Sequence, residues 1–355
     1  VQHPPFPPQQ SPFAVRDVTK IQADLFPLGS EINGQRETVH FVADEFWEAD
    51  IAEKLVLLER DASLRHLIET DDPAGLAESL WGIGRLIGAD LPSLWQSALD
   101  GAILPRLGLR LIAHSPETRI EPEIDDSSAT PLGRGIANWL RTRQGVSRLL
   151  DAVALTVQED IVVMRSLPDG SDVCEALQVC FPSGWDPREK IGKSFASIHR
   201  PVADSDRLVS SAPNVIRAMV NKGPYVRFNF GLSFSPLLDT HPAVNYDRRL
   251  FTKNDDFMTM LPLMNLRMER QTTYGFTDLQ RALFSIRIYV NPLTERIERD
   301  PSLRPRIANL LRTAIPSVRE YKGYALYADA LIEWLESEPV GDVTVGKARY
   351  QKSRT

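Results

Sequence analysis

Three groups of residues in this chain have types and spacings that could do chemistry. The first centres on one histidine. His199 lies in the stretch 176–202, ALQVCFPSGWDPREKIGKSFASIHRPV, between Ile198 and the pair Arg200-Pro201. Proline biases the residue before it toward extended geometry, so His199 should have few rotamers, as a fixed axial ligand requires. An ordinary surface or hydrogen-bonded core histidine is the competing reading. The second group is a set of arginines inside strand-like runs: Arg227 in YVRFNFG, Arg267 and Arg270 in LRMERQTTY, and Arg287 in FSIRIYV. On a two-residue alternation Arg267, Glu269 and Gln271 share one face, while Met268, Arg270 and Thr272 share the other. A charge at a buried strand centre needs a counter-charge, and ligand carboxylates or phosphates match the guanidinium fork. An internal salt-bridge network, with Glu269 beside a neighbouring arginine on a solvated face, explains the same pattern. The third group, Gln158-Glu159-Asp160, offers two adjacent carboxylates. Adjacent strand residues face opposite ways, so this is a weak acid/base signal.

Other chemistries find no support. There is no glycine-rich phosphate loop, nucleotide fingerprint or Gly-x-Ser-x-Gly elbow, and no Cys or His pair has zinc spacing. Cys174 and Cys180 read as free thiols of a reducing compartment. A net charge of −6 argues against nucleic acid as the main partner. The apolar runs are too short or too broken by charge to span a bilayer, and the opening VQHPPFPPQQSPF lacks the features of a secretory signal. These features lead us to expect a soluble, cytoplasmic protein with no membrane or nucleic-acid partner.

The elements that must position these residues follow from periodicity. Residues 1–40 form a Pro- and Gln-rich extended arm with Phe6, Phe13 and Phe26 as anchors. Residues 41–150 read as mainly helical: 41–60, with Asp44 as N-cap, then 73–87, 91–101 and 136–150. From 151 to 300 short β-branched and aromatic runs at 176–181, 225–234, 266–274 and 283–290, with a helix at 214–221, predict an antiparallel sheet and an α+β class. Two helices at 301–313 and 321–335 lie in a C-terminal region, 301–340, before a polar tail, 341–355.

The ordered motifs VQEDIVVM (157–164), CFPSGWDPREKIGKSFASIHRPV (180–202), VRFNF (226–230), LRMERQTTY (266–274), FSIRIYVNPL (284–293) and YKGY (321–324) resemble the heme-dependent oxidative N-demethylase family. FVADEFWEADIAEKLVLL at 41–58 extends the similarity more weakly. The resemblance implies a PAS-like sheet binding heme b, with a helical N-terminal region and C-terminal helices packed around it. It implies His199 as the iron ligand, with His241 in reserve. Arg227, Arg267, Arg270 and Arg287 would pair with the propionates or hold the sheet, with Arg270 also a catalytic candidate, and Glu269 would receive a cationic amine. The implied reaction is oxidation of a small methylated amine to the demethylated amine and formaldehyde, with O2 as co-substrate. Electrons would come from a separate flavin/iron–sulfur reductase, and a homo-oligomer is compatible. A heme-based redox or gas sensor, or an enzyme acting on a larger amine, is the alternative. Two departures bear on the substrate: Phe230 stands where the family pattern Arg-x-Asn-Trp has Trp, and Thr273-Tyr274-Gly275-Phe276 replaces a Leu and an Arg-Leu-Pro run.

Overall fold

The two longest strands are those that carry three of the arginines. A computed structural model of the chain describes residues 13–337 except 17, 20–22, 33 and 245–251. In it, Asn265–Phe276 and Arg281–Pro292 pair antiparallel over their whole length, joined by the short turn Thr277–Leu279. Gln280 closes that turn in the left-handed region (φ 51°). Around this hairpin a seven-stranded antiparallel sheet forms in the order Phe26–Pro27, Tyr225–Ser233, Asn265–Phe276, Arg281–Pro292, Asp160–Ser166, Asp172–Gln178, His66–Ile68. The architecture is the α+β arrangement expected. Register places Arg227 opposite Gln271, Asn229 opposite Glu269 and Gly231 opposite Arg267.

Alternation divides the sheet into two unlike faces. On one, Val226, Phe228, Phe230, Leu266, Met268 and Tyr289 pack beneath the helices Leu303–Thr313 and Ala328–Glu336. Each such buried side chain contributes roughly 1.5–3 kcal/mol. Further along the same face Arg270 and Arg287 meet the residues leading into the helix Trp47–Asp61. The other face holds Val162, Met164, Leu177 and Ala282 against the helix Ala212–Asn221 and against Phe195 and Ile198. That packing brings the His199 segment onto the face shared by Arg227 and Glu269.

Several local expectations need correction. The span 136–150 is divided between the helices Pro131–Arg141 and Val146–Ala154, and the span 321–335 between Pro316–Tyr321 and Ala328–Glu336. Asp44 is not the N-cap of its helix. That residue is Phe46, two positions later, and the Asp44 carboxylate accepts from the Phe46 N–H (2.9 Å) as well as from Arg287 and Gln158. Residues 91–101 form turns and the strand Gln96–Ala98, part of a separate four-stranded sheet within the region read as helical. There the apolar spacing reflects Leu94 and Trp95 turning into the core. Arg200 is helical (φ −55°, ψ −36°) despite preceding Pro201, so proline is not what restrains His199. Cys174 and Cys180 are free and buried. The anchors Phe13 and Phe26 pack against the helical side of the sheet. Phe6 and the tail 341–355 lie outside the described residues.

Candidate functional site

Glu269 is the polar centre of the face that also carries Arg227 and Asn229, and it is 8% exposed. Its carboxylate accepts hydrogen bonds from Ser183 Oγ (2.5 Å), Gln271 Nε2 (2.7 Å) and Asn229 Nδ2 (3.3 Å). Asn229 Oδ1 in turn accepts from Lys322 Nζ (3.2 Å), which also donates to the Phe230 carbonyl (2.9 Å). Burial pushes the Lys322 ammonium down to about 8, with Glu269 opposing the shift and Arg227 adding to it. Burial likewise lowers Arg227, again opposed by Glu269. Arg227 Nε is buried without a hydrogen-bond partner, and the guanidinium forms no ion pair among the described residues. Nearby on the same face, a Cβ added to Gly231 would meet no atom within 4 Å.

His199 ends the short helix Phe195–His199, whose first turn is capped by the Ser194 side chain. Its Nδ1 lies 2.8 Å from the Phe195 carbonyl oxygen. A carbonyl can only accept, so Nδ1 carries the proton and Nε2 presents its lone pair. The imidazole also stacks on the Phe195 ring, with centroids 4.0 Å apart. Burial, and after it the charges of Arg227 and Lys190, push its pKa down to about 4 against the partly offsetting Phe195 hydrogen bond. The ring is therefore neutral at pH 7. A neutral imidazole with one nitrogen bonded to backbone and the other unbonded is the form that ligates metal.

The other histidines are differently placed. His241 Nδ1 accepts from Ala243 N (3.0 Å) and its Nε2 lies 3.4 Å from Asp186. His66 Nδ1 is 2.6 Å from Asp151, and His40 lies beside Asp90. His3 lies outside the described residues.

The arginines divide into three kinds. Arg267 shares the Glu269 face, but its donors go to Ser183 Oγ and to the carbonyls of Phe181, Pro182, Leu237 and Leu238. It ties two loops to the sheet. Arg270 and Arg287 lie on the opposite face, the first bound to Glu37 and the carbonyls of Val39 and His40, the second to Asp44 and Asp50. Arg227 alone of the four has no hydrogen bond or ion pair among the described residues. The structure therefore brings His199, Arg227, Arg267 and Glu269 to one side and separates Arg270 and Arg287 from them.

Sequence reasoning missed the roles of Ser183, Asn229, Gln271 and Lys322. Gln271 could have been found, since alternation already set it beside Glu269. Lys322 could not, because only the tertiary fold brings YKGY to the Tyr225–Ser233 strand.

A family model described as haem-dependent oxidative N-demethylase, alpha subunit-like, matches residues 131–332, more than half of the chain. The matched span contains His199, Arg227, Glu269 and Lys322 together with the five inner strands of the sheet. With that match over the residues that build this face, the chain belongs to the haem-dependent oxidative N-demethylase alpha-subunit-like family.

Proposed function

We propose that this chain binds heme b through His199 on a PAS-like sheet and oxidatively demethylates a small methylated amine held by Glu269. The observation that carries the reading is the shared face: a neutral histidine with a free Nε2, a half-buried arginine whose buried Nε has no hydrogen-bond partner, and a buried carboxylate stand on one side of one sheet. These residues fit heme. Among the described residues no group of three or more His, Cys, Asp or Glu could hold a bare metal ion, so a lone axial histidine suits an iron whose other ligands come from a macrocycle. Arg227, half-buried and in no ion pair among the described residues, suits a propionate. The open space at Gly231 suits a flat or small guest.

Heme, when bound, supplies the iron at which O2 is activated. The chain's own residues hold and orient. A carboxylate offers about four acceptor sites, and Ser183, Asn229 and Gln271 use three, leaving one on Glu269 Oε1 for an ammonium N–H. Lys322 and Arg267 fix the partners of that carboxylate, through Asn229 and Ser183 respectively. In this reading Arg270 and Arg287 serve by holding the sheet. The overall balance takes one methylated amine, O2, two electrons and two protons to the demethylated amine, formaldehyde and water. The alpha-subunit name of the family accords with electrons arriving from a separate flavin/iron–sulfur reductase.

The test is reconstitution with hemin, followed by assay of formaldehyde and demethylated amine in equal amounts across a panel of methylated amines with a surrogate reductase. A Soret band without turnover on any amine would favour the sensor alternative. Gly231 gives a second check. Gly231→Val should fold with unchanged or slightly higher stability, because the added side chain meets open space and strand interiors disfavour glycine. The same variant should bind heme or amine at least severalfold more weakly. Wild-type affinity for both would remove Gly231 from the pocket.

A further inference from the structure

The chain segment that carries His199 has a charge opposite to that of the chain as a whole. Between residues 187 and 222 seven Lys or Arg face three Asp or Glu, a net +4, while the full chain is −6. Lys193, Arg200, Arg207, Arg217 and Lys222 are exposed, and none forms an ion pair among the described residues. They do not lie on one isolated helix. The helices Phe195–His199, Asp206–Ser210 and Ala212–Asn221 pack against one another. The last of them buries Val215, Ile216, Met219 and Val220 toward the sheet while turning Arg217 outward. His199 belongs to the first of these helices and is followed directly by the exposed Arg200. The candidate iron ligand is thus separated from this basic surface by a single helical turn.

We infer that this basic face, centred on Arg200, Arg207 and Arg217, docks an acidic one-electron carrier protein that delivers electrons through the His199 helix. The inference rests on the heme reading of His199 and adds to it the surface used by the electron donor. Complementary charge steers encounter and fixes orientation, which is what a transient electron-transfer contact needs. A nucleic acid fits less well, because the remainder of the chain carries a net negative charge that repels a polyanion. In the electron step the donor's reduced iron–sulfur centre is oxidised by one electron and the ferric heme is reduced by one. Two such deliveries supply the electrons of the demethylation balance.

The test uses the full chain reconstituted with hemin and an acidic plant-type [2Fe–2S] ferredoxin as probe. Binding is measured by calorimetry, and the rate of heme reduction by stopped flow at the Soret band. The triple variant Arg200→Glu, Arg207→Glu, Arg217→Glu is expected to lower the second-order reduction rate about 10- to 100-fold at low ionic strength and to abolish its salt dependence. The triple Arg→Gln variant should fall between the two. Arg85→Glu, an exposed reversal elsewhere, should stay within about twofold of wild type. Dithionite should reduce every variant to the same end point, showing that the reversals spare heme and fold. Wild-type reduction rates in the triple Glu variant would overturn the proposal, as would tighter binding of a DNA duplex than of ferredoxin. A wild-type chain with no Soret band would overturn the heme reading instead. Calorimetry, which needs no heme, would then still decide whether this face takes an acidic protein.

Discussion

Replacing His199 with alanine is expected to cost the chain at least about 100-fold in heme affinity while leaving the fold intact. Even outer-shell partners of a metal ligand are worth about 10–100-fold, and the ligand itself more. The structural cost is small by comparison. His199 is only half-buried, and its ring Nδ1 donates to the carbonyl of Phe195 four residues earlier. The measurement is hemin titration followed at the Soret band, with far-UV circular dichroism as the control for folding and added imidazole as the rescue. An unchanged Soret band in His199→Ala would rule out this axial ligand.

The same residue predicts a pH signature without heme. Burial lowers the folded-state pKa of His199 from 6.5 to about 4, so between those values the unfolded chain binds more protons than the folded one. Stability from this group is complete above about 6.5 and is lost as pH falls toward 4. Urea melts of the heme-free wild type should therefore lose stability across that window more steeply than melts of His199→Ala.

Legibility in the sequence depended on how far a residue's environment is set by its neighbours in the chain. Alternation alone put Glu269 and Gln271 together and Arg270 opposite them, because strand geometry forces it. The hairpin of the two longest strands and the helix 212–221 were close to their predicted bounds for the same local reason. Local rules failed where distant groups competed. Asp44 has the residue type of an N-cap but sits two residues before it, where one carboxylate oxygen accepts from the Phe46 N–H and the other binds a buried Arg287 across the fold. Arg200 precedes a proline yet completes a helical turn, since its N–H bonds to the carbonyl of Ala196. The four arginines looked alike in sequence. Three proved to be bound by loops or by acids as distant as Glu37 and Asp44, and only the assembled sheet shows that Arg227 is the exception.

Converting Glu269 to glutamine should lower kcat/KM for a cationic methylated amine by about 100-fold or more, mostly through KM. Truncating one partner of a buried, hydrogen-bonded charge pair costs about 2–5 kcal/mol, and each 1.4 kcal/mol is tenfold. The carboxylate would attract the ammonium equally in the bound and the reacting states, so its loss removes uniform binding and raises KM more than it lowers kcat. Glutamine keeps the shape, and its carbonyl can still accept from Gln271 and Asn229 while its amide donates to Ser183, so the substitution removes charge with little repacking. It also has a consequence away from the substrate. Glu269 is the charge that opposes the depression of Lys322, so without it the Lys322 ammonium should titrate below its present value of about 8. Lysine Cε chemical shifts across a pH series would read that change directly in protein with no amine present. Unchanged KM for the cationic amine would separate Glu269 from substrate binding. An unchanged Lys322 titration would break the chain of contacts from Glu269 through Asn229 to the YKGY segment.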